Sequence, residues 1–204
     1  MSEKLETARK NMVINQLRPN KINEENKLKI FENTPKENYL DDSLGKNCYI
    51  DKNLDITDKR GYLKNLHLAQ IIKYSEISNS DKVLHLGGLT GYFSTLISSL
   101  CKEILVIEEN KELFNSLQKN IKIDDTSNIN LFNQNLLDGL STHSPFDLII
   151  IDGPMYRVTD KLKKQLVNNG GRLIYIKKIY DNLGKAYKIV RNEDLYSSEY
   201  LFDV

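Results

Sequence analysis

The spacing of apolar residues changes several times along this chain, and each change marks an element. Leu5, Ala8, Met12, Val13, Gln16 and Leu17 keep helical spacing until Pro19 ends it. Asn23 can cap a second short helix that closes before Pro35, so the pattern predicts a helical N-terminal arm. Residues 36–60 are polar and broken, with Asp41, Asp42, Gly45, Asn47 and Asn53 as turn formers around a brief apolar Cys48-Tyr49-Ile50. This composition predicts one long ordered loop, a length usually kept for function. Helical spacing returns over residues 62–75.

From there the period alternates. KVLHL (82–86) and EILVIE (103–108) are apolar runs of strand length, and between them Phe93, Leu96, Ile97 and Leu100 take the i, i+3, i+4, i+7 positions of a helix. A further helix carries Leu113, Leu117 and Ile121 on one face, followed by strand candidates NINLF, FDLIII and RLIYIKK. The unbroken apolar run at 148–151 suits a parallel strand covered on both faces, with helices as crossovers. After Gly170-Gly171 no amphipathic helix follows; KAYKIV and SEYLFDV pair as an antiparallel hairpin through Asn192-Glu193-Asp194. The expected fold class is α/β, a doubly wound and mostly parallel sheet ending in that hairpin. Residues 1–61 then form the arm and a substrate-side loop, and 62–204 the sheet domain with one main core.

Composition narrows the function classes. With 29 basic against 28 acidic residues, a net charge of +1 gives no global field to recruit nucleic acid or an anionic membrane. Cys48 and Cys101 are too few and too separate for a disulfide framework or a zinc site, which suits a reducing cytoplasm. No apolar segment approaches the roughly 20 residues that span a bilayer, and the first 30 residues are too polar for a secretory signal. The expectation is a soluble cytoplasmic monomer. His67 reads as a helix-surface histidine and His143 as a loop histidine.

Candidate chemistry gathers after the first long strand. Gly87, Gly88 and Gly91 lie where ligands of such sheets bind, beyond the strand's C-terminal end, and glycine lets a ligand approach bare backbone. Glu108 closes the next strand about 20 residues later, where a carboxylate can accept hydrogen bonds from both ribose hydroxyls. Together they point to a nucleoside cofactor. The sequence G-G-L-T-G, with Leu89 where a middle glycine would be wanted, is poorly suited to the pyrophosphate of NAD.

Residues 9–18, RKNMVINQLR, resemble the R-x-x-M-V-x-x-Q-L-R helix of protein-L-isoaspartate O-methyltransferases. The similarity continues through Thr34-Pro35-Lys36-Glu37 (V-P-R-E), Tyr49-Ile50-Asp51 (A-Y-x-D), VLHLGGLTGY, VIEEN, FDLIIIDG and GGRLIYI, nearly the whole chain in order. The resemblance implies a Rossmann-like class I methyltransferase fold and a cytoplasmic repair enzyme. Such an enzyme uses S-adenosyl-L-methionine to methylate the free carboxylate of L-isoaspartyl residues in damaged proteins and peptides, with no metal. A bacterial branch of the family is the nearer likeness, with an arginine and bulky apolar residues aligned with Arg60, Tyr62 and Leu63. It implies Thr57 and Arg60 as catalytic-side residues, and His85, Gly87, Gly88, Gly91, Glu108, Asn135 and Asp152 as cofactor-binding. Three departures fall at these places: His85 stands where the family has an acidic residue, Asn135 where it has the Asp of G-D-G, and Thr57 is the only candidate for its hydroxyl motif. Two alternatives stay open: a non-catalytic relative that binds proteins, and a metal-dependent small-molecule O-methyltransferase using Asp152 with Asp181-Asn182.

Overall fold

The computed structural model describes residues 2–123, 127–180 and 183–204. The arm begins with α1 (Ser2–Met12), which runs through a π turn (Val13–Leu17) into a 3-10 turn (Arg18–Asn20), and continues with α2 (Glu25–Asn33). Met12, Val13 and Leu17 are buried, while Arg9 holds the arm closed: its Nε donates to the Glu32 carbonyl at 2.7 Å and Nη1 to Glu37 Oε1 at 3.0 Å. Gln16 donates to the Tyr49 carbonyl at 2.7 Å, and the Tyr49 hydroxyl donates to Glu37. The helix motif of residues 9–18 is therefore a clasp between the arm and the segment after it.

That segment differs from the single loop expected. It contains a 3-10 turn (Lys36–Tyr39), α3 (Asp42–Gly45) and β1 (Leu54–Asp55), which pairs antiparallel with β2 (Gly61–Tyr62) as a short ribbon. Pairing draws Tyr62 out of the helix expected over residues 62–75, and α4 covers Asn65–Ser75. Gly61 permits it, because a Cβ there would lie 2.2 Å from the Leu54 carbonyl oxygen.

The main sheet is built from β3 (Lys82–Leu86), α5 (Tyr92–Ser98), β4 (Glu103–Ile107), α6 (Lys111–Ile123), β5 (Ile129–Phe132), β6 (Leu148–Met155), α7 (Asp160–Lys163), β7 (Asn169–Tyr180), β8 (Leu183–Asn192) and β9 (Leu195–Asp203). Its strand order is β5-β4-β3-β6-β7-β8-β9, parallel from β5 to β7 and antiparallel for the last two pairings. The expected fold class and terminal hairpin are present. Because β4 and β6 flank β3 on opposite sides, the chain reverses direction there and a crevice opens beyond the strand ends.

Alternate strand residues feed two apolar layers. Val83, Ile104, Val106, Leu148 and Ile150 face one side and share a core with the arm, α4, α5 and α6. Leu84, Leu86, Leu105, Ile107 and Ile149 face the other, met by Phe146, Leu162 and Leu166. This second layer is thinner than helical crossovers would make it. The β5 to β6 connection holds only 3-10 turns (Leu136–Asp138 and Ser141–His143), and α7 has 4 residues. His67 also departs from expectation: it is half-buried against Phe202, ring centroids 5.8 Å apart, with Nδ1 unpartnered, and burial lowers its pKa to about 4. His143 is exposed in its turn, as expected, beside the Thr142 hydroxyl at 2.9 Å.

Candidate active site

A cleft of about 880 Å³ lies in the crevice beyond β3 and β6, a size normal for small-molecule sites. Its floor includes Gly87 and Asp152, its rim Asn135 and Leu137, and the ribbon closes one side with Arg60 and Tyr62. No helix among the described residues is long and apolar enough to cross a membrane, and no group of three His, Cys, Asp or Glu side chains there could hold a metal ion. Asp181-Asn182, needed by the metal-dependent alternative, lies outside the described residues.

The glycines of the loop divide by task. Gly87 has φ +98° and opens to the cleft; a Cβ there would lie 3.2 Å from Arg60 Nη2 and 4.0 Å from Asp152 Oδ1. Gly88 and Gly91 instead pack under α6: a Cβ on Gly88 would meet Val106 of β4 at 2.5 Å and Leu117 of α6 at 2.9 Å, and one on Gly91 would meet Leu117 at 3.0 Å. Leu89 adopts a left-handed φ of 49° that completes the turn, and, largely buried, it lines the cleft beside Gly87.

The sequence marks Tyr62 only as a bulky neighbour of Arg60, yet it organises the loop. Its buried hydroxyl accepts from Thr90 N at 3.2 Å and Tyr92 N at 3.1 Å and bonds Thr90 Oγ1 at 2.9 Å, capping α5 where Gly91 offers no side chain. The backbone N–H groups of Leu89, Thr90, Gly91 and Tyr92 all have partners within the protein, which leaves no anion cradle there for a pyrophosphate. Behind Tyr62 lies a second residue that sequence left unassigned. Lys36 is buried with Nζ 5.3 Å from the Tyr62 ring centroid and 5.2 Å from that of Tyr92, donating to Asn65 Oδ1 at 3.1 Å. Burial lowers its pKa to about 8.

Glu108 is fully buried at the end of β4, and its oxygens are shared symmetrically. Oε2 accepts from Leu89 N at 2.9 Å and Arg60 Nη2 at 2.8 Å; Oε1 accepts from Asn110 N at 2.9 Å and Arg60 Nη1 at 2.5 Å. On the other side of Gly87, Asp152 ends the apolar part of β6, and its Oδ1 meets His85 Nε2 at 3.2 Å. His85 Nδ1 meets Ser94 Oγ at 2.9 Å. Although this row has the composition of a nucleophilic triad, Ser94 and His85 are buried away from the cleft and only Asp152 borders it. His85 thus reaches the site through Asp152. Asn135 borders the cleft, with Oδ1 accepting from Leu137 N at 2.8 Å. Thr57 is exposed in the ribbon's turn, where its hydroxyl accepts from Arg60 N at 3.1 Å, and it does not line the cleft. Cys48 and Cys101 are buried free thiols with pKa values pushed up to about 12 by burial, so they stay protonated.

The chain is similar to several known proteins. A protein-L-isoaspartate O-methyltransferase of Shewanella woodyi is 29% identical over 199 residues, 98% of this chain and 92% of that one. A relative in Pelobacter propionicus, protein-L-isoaspartate O-methyltransferase 2, is 26% identical over 200 residues, 98% of this chain and 88% of its own length. Among solved structures, a protein-L-isoaspartate O-methyltransferase superposes with a TM-score of 0.82 at 17% identity, over 96% of this chain and 64% of that one, which establishes the fold. The family model for protein-L-isoaspartate(D-aspartate) O-methyltransferase matches residues 8–199, and this chain belongs to that family, whose enzymes use S-adenosylmethionine.

Proposed function

We propose that the cleft is an S-adenosylmethionine site and that the protein methylates the free carboxylate of L-isoaspartyl residues in damaged proteins. The observation that carries this is the carboxylate of Glu108, buried at a strand end beside a glycine whose positive φ opens it to the cleft. A buried carboxylate held by two backbone N–H groups is a preorganised acceptor for a ribose, and the capped start of α5 disfavours a dinucleotide. Glu108 would hold the ribose, the Asn135 amide the adenine edge, and Asp152, oriented by His85, the ammonium of the methionine portion. Bound there, S-adenosylmethionine supplies a methyl group already activated on a sulfonium. The substrate carboxylate is a nucleophile at neutral pH, so the chain has no proton to remove. Its work is to position the two groups in line and exclude water. Thr57 acts at one remove, bracing the backbone of Arg60. Two buried free thiols suit a reducing cytoplasm, where the protein would act as a monomer.

With isoaspartyl peptide and methyl-labelled cofactor, the wild-type protein should form a base-labile methyl ester, and Glu108→Ala should form almost none. Absence of ester from a wild-type protein that binds the cofactor would remove the substrate assignment. One observation favours a second reading, a non-catalytic relative that keeps the fold for binding proteins: Arg60 occupies the very carboxylate that a ribose would need. Failure of S-adenosylhomocysteine to bind at millimolar concentration would support it.

A further inference from the structure

A carboxylate offers about four acceptor positions, two on each oxygen. On Glu108 all are taken: one on each oxygen by a backbone N–H, of Leu89 and Asn110, and one on each by Arg60. The backbone donors are fixed by the turn after β3 and by the strand end itself. Only Arg60 can leave, and its side chain is 26% exposed at the cleft while that of Glu108 is wholly buried. A pair of ribose hydroxyls and the Arg60 guanidinium therefore compete for the same two positions.

We propose that Arg60 is a gate on the cofactor site that changes partners, gripping Glu108 until a nucleoside displaces it and the substrate's carboxylate thereafter. This rests on the cofactor assignment given above. The planar fork of Arg60 already binds one carboxylate through two parallel N–H groups, and it can grip a second in the same way. The main chain of the residue need not travel. Its N–H is held by the Thr57 hydroxyl, its carbonyl accepts from Ile56 N at 3.0 Å and Thr57 N at 2.9 Å, and the next residue but one, Tyr62, is buried and bonded to the loop. Rotation about the side-chain bonds moves the guanidinium while the ribbon stays in place, and the displaced cation remains in the cleft it lines. Cofactor binding then precedes substrate binding, because the cation that receives the substrate is freed by the cofactor.

The test is calorimetric binding of S-adenosylhomocysteine, and of an isoaspartyl peptide, to the whole protein and its variants. Arg60→Gln, which removes the competitor, should bind S-adenosylhomocysteine at least about tenfold more tightly than wild type, roughly the worth of one charge-assisted hydrogen bond. Arg60→Lys, limited to a single donor direction, should fall between them and serves in place of Arg60→Gln if that variant does not fold. The peptide should bind wild type at least about tenfold better with S-adenosylhomocysteine present than without it, and Arg60→Gln should lose that gain. Equal or weaker S-adenosylhomocysteine binding by Arg60→Gln, while Glu108→Ala loses binding, would overturn the gate alone. Undiminished binding by Glu108→Ala would place the nucleoside elsewhere and overturn both the gate and the site assignment. Peptide affinity indifferent to Arg60→Gln would overturn the exchange of partners.

Discussion

The buried ammonium of Lys36 is sustained at a cost. An ammonium removed from water between two tyrosine rings, with one side-chain acceptor, keeps its charge at a cost that lowers its pKa from 10.5 to about 8, chiefly through desolvation. Below about pH 8 the group is protonated in folded and unfolded chains alike, so the folded state bears the whole penalty. As the pH rises from 8 to 10.5 the folded state sheds the proton first, and the penalty is relieved. At about 1.4 kcal/mol per pKa unit it is on the order of 3 kcal/mol. Denaturant titrations of wild type and Lys36→Met should therefore converge by several tenths to a few kcal/mol between these limits, wild type gaining on the variant. A constant difference across that range would show that Lys36 titrates as in water.

Among the elements, the two-stranded ribbon has the largest effect for its size. β1 and β2 have 2 residues each, yet Tyr62 caps α5 and Arg60 covers Glu108. Tyr62→Phe keeps the ring and strips Thr90 N and Tyr92 N of their acceptor, so it should lower stability by about 1–3 kcal/mol in chemical denaturation. Most of the sheet was legible from sequence because local pattern determines it: unbroken apolar runs such as 148–151 and the helical spacing of Phe93, Leu96 and Ile97 require no distant partner. The ribbon was not legible. Its pairing depends on the close approach of Gly61 to Leu54, and its anchors join Tyr62 to Thr90, 28 positions away, and Arg60 to Glu108, 48 positions away. The position of Glu108 at the strand end was readable, but the arginine satisfying it was not. Likewise the three glycines looked alike in the sequence, whereas contact with α6 assigns Gly88 and Gly91 to packing and leaves Gly87 to the cleft.

For the whole molecule, the arm, α4, α5 and α6 share one apolar layer with the sheet, so a ligand at the end of β3 and β4 draws on the stability of the full core. S-adenosylhomocysteine at about 100 times its dissociation constant should raise the unfolding free energy by about 2.7 kcal/mol. Thermal unfolding with and without the ligand checks this, and an unmoved midpoint would contradict a nucleoside site. The ribbon carries a further consequence for how two ligands sense one another. Residues 60 and 62 emerge from one short strand-and-turn unit yet attach to different walls, the first to the carboxylate closing β4, the second to the start of α5. The second attachment keeps the ribbon still while the Arg60 side chain changes partners, and thermodynamic reciprocity then requires that whatever the nucleoside does to peptide affinity, the peptide does in equal measure to nucleoside affinity.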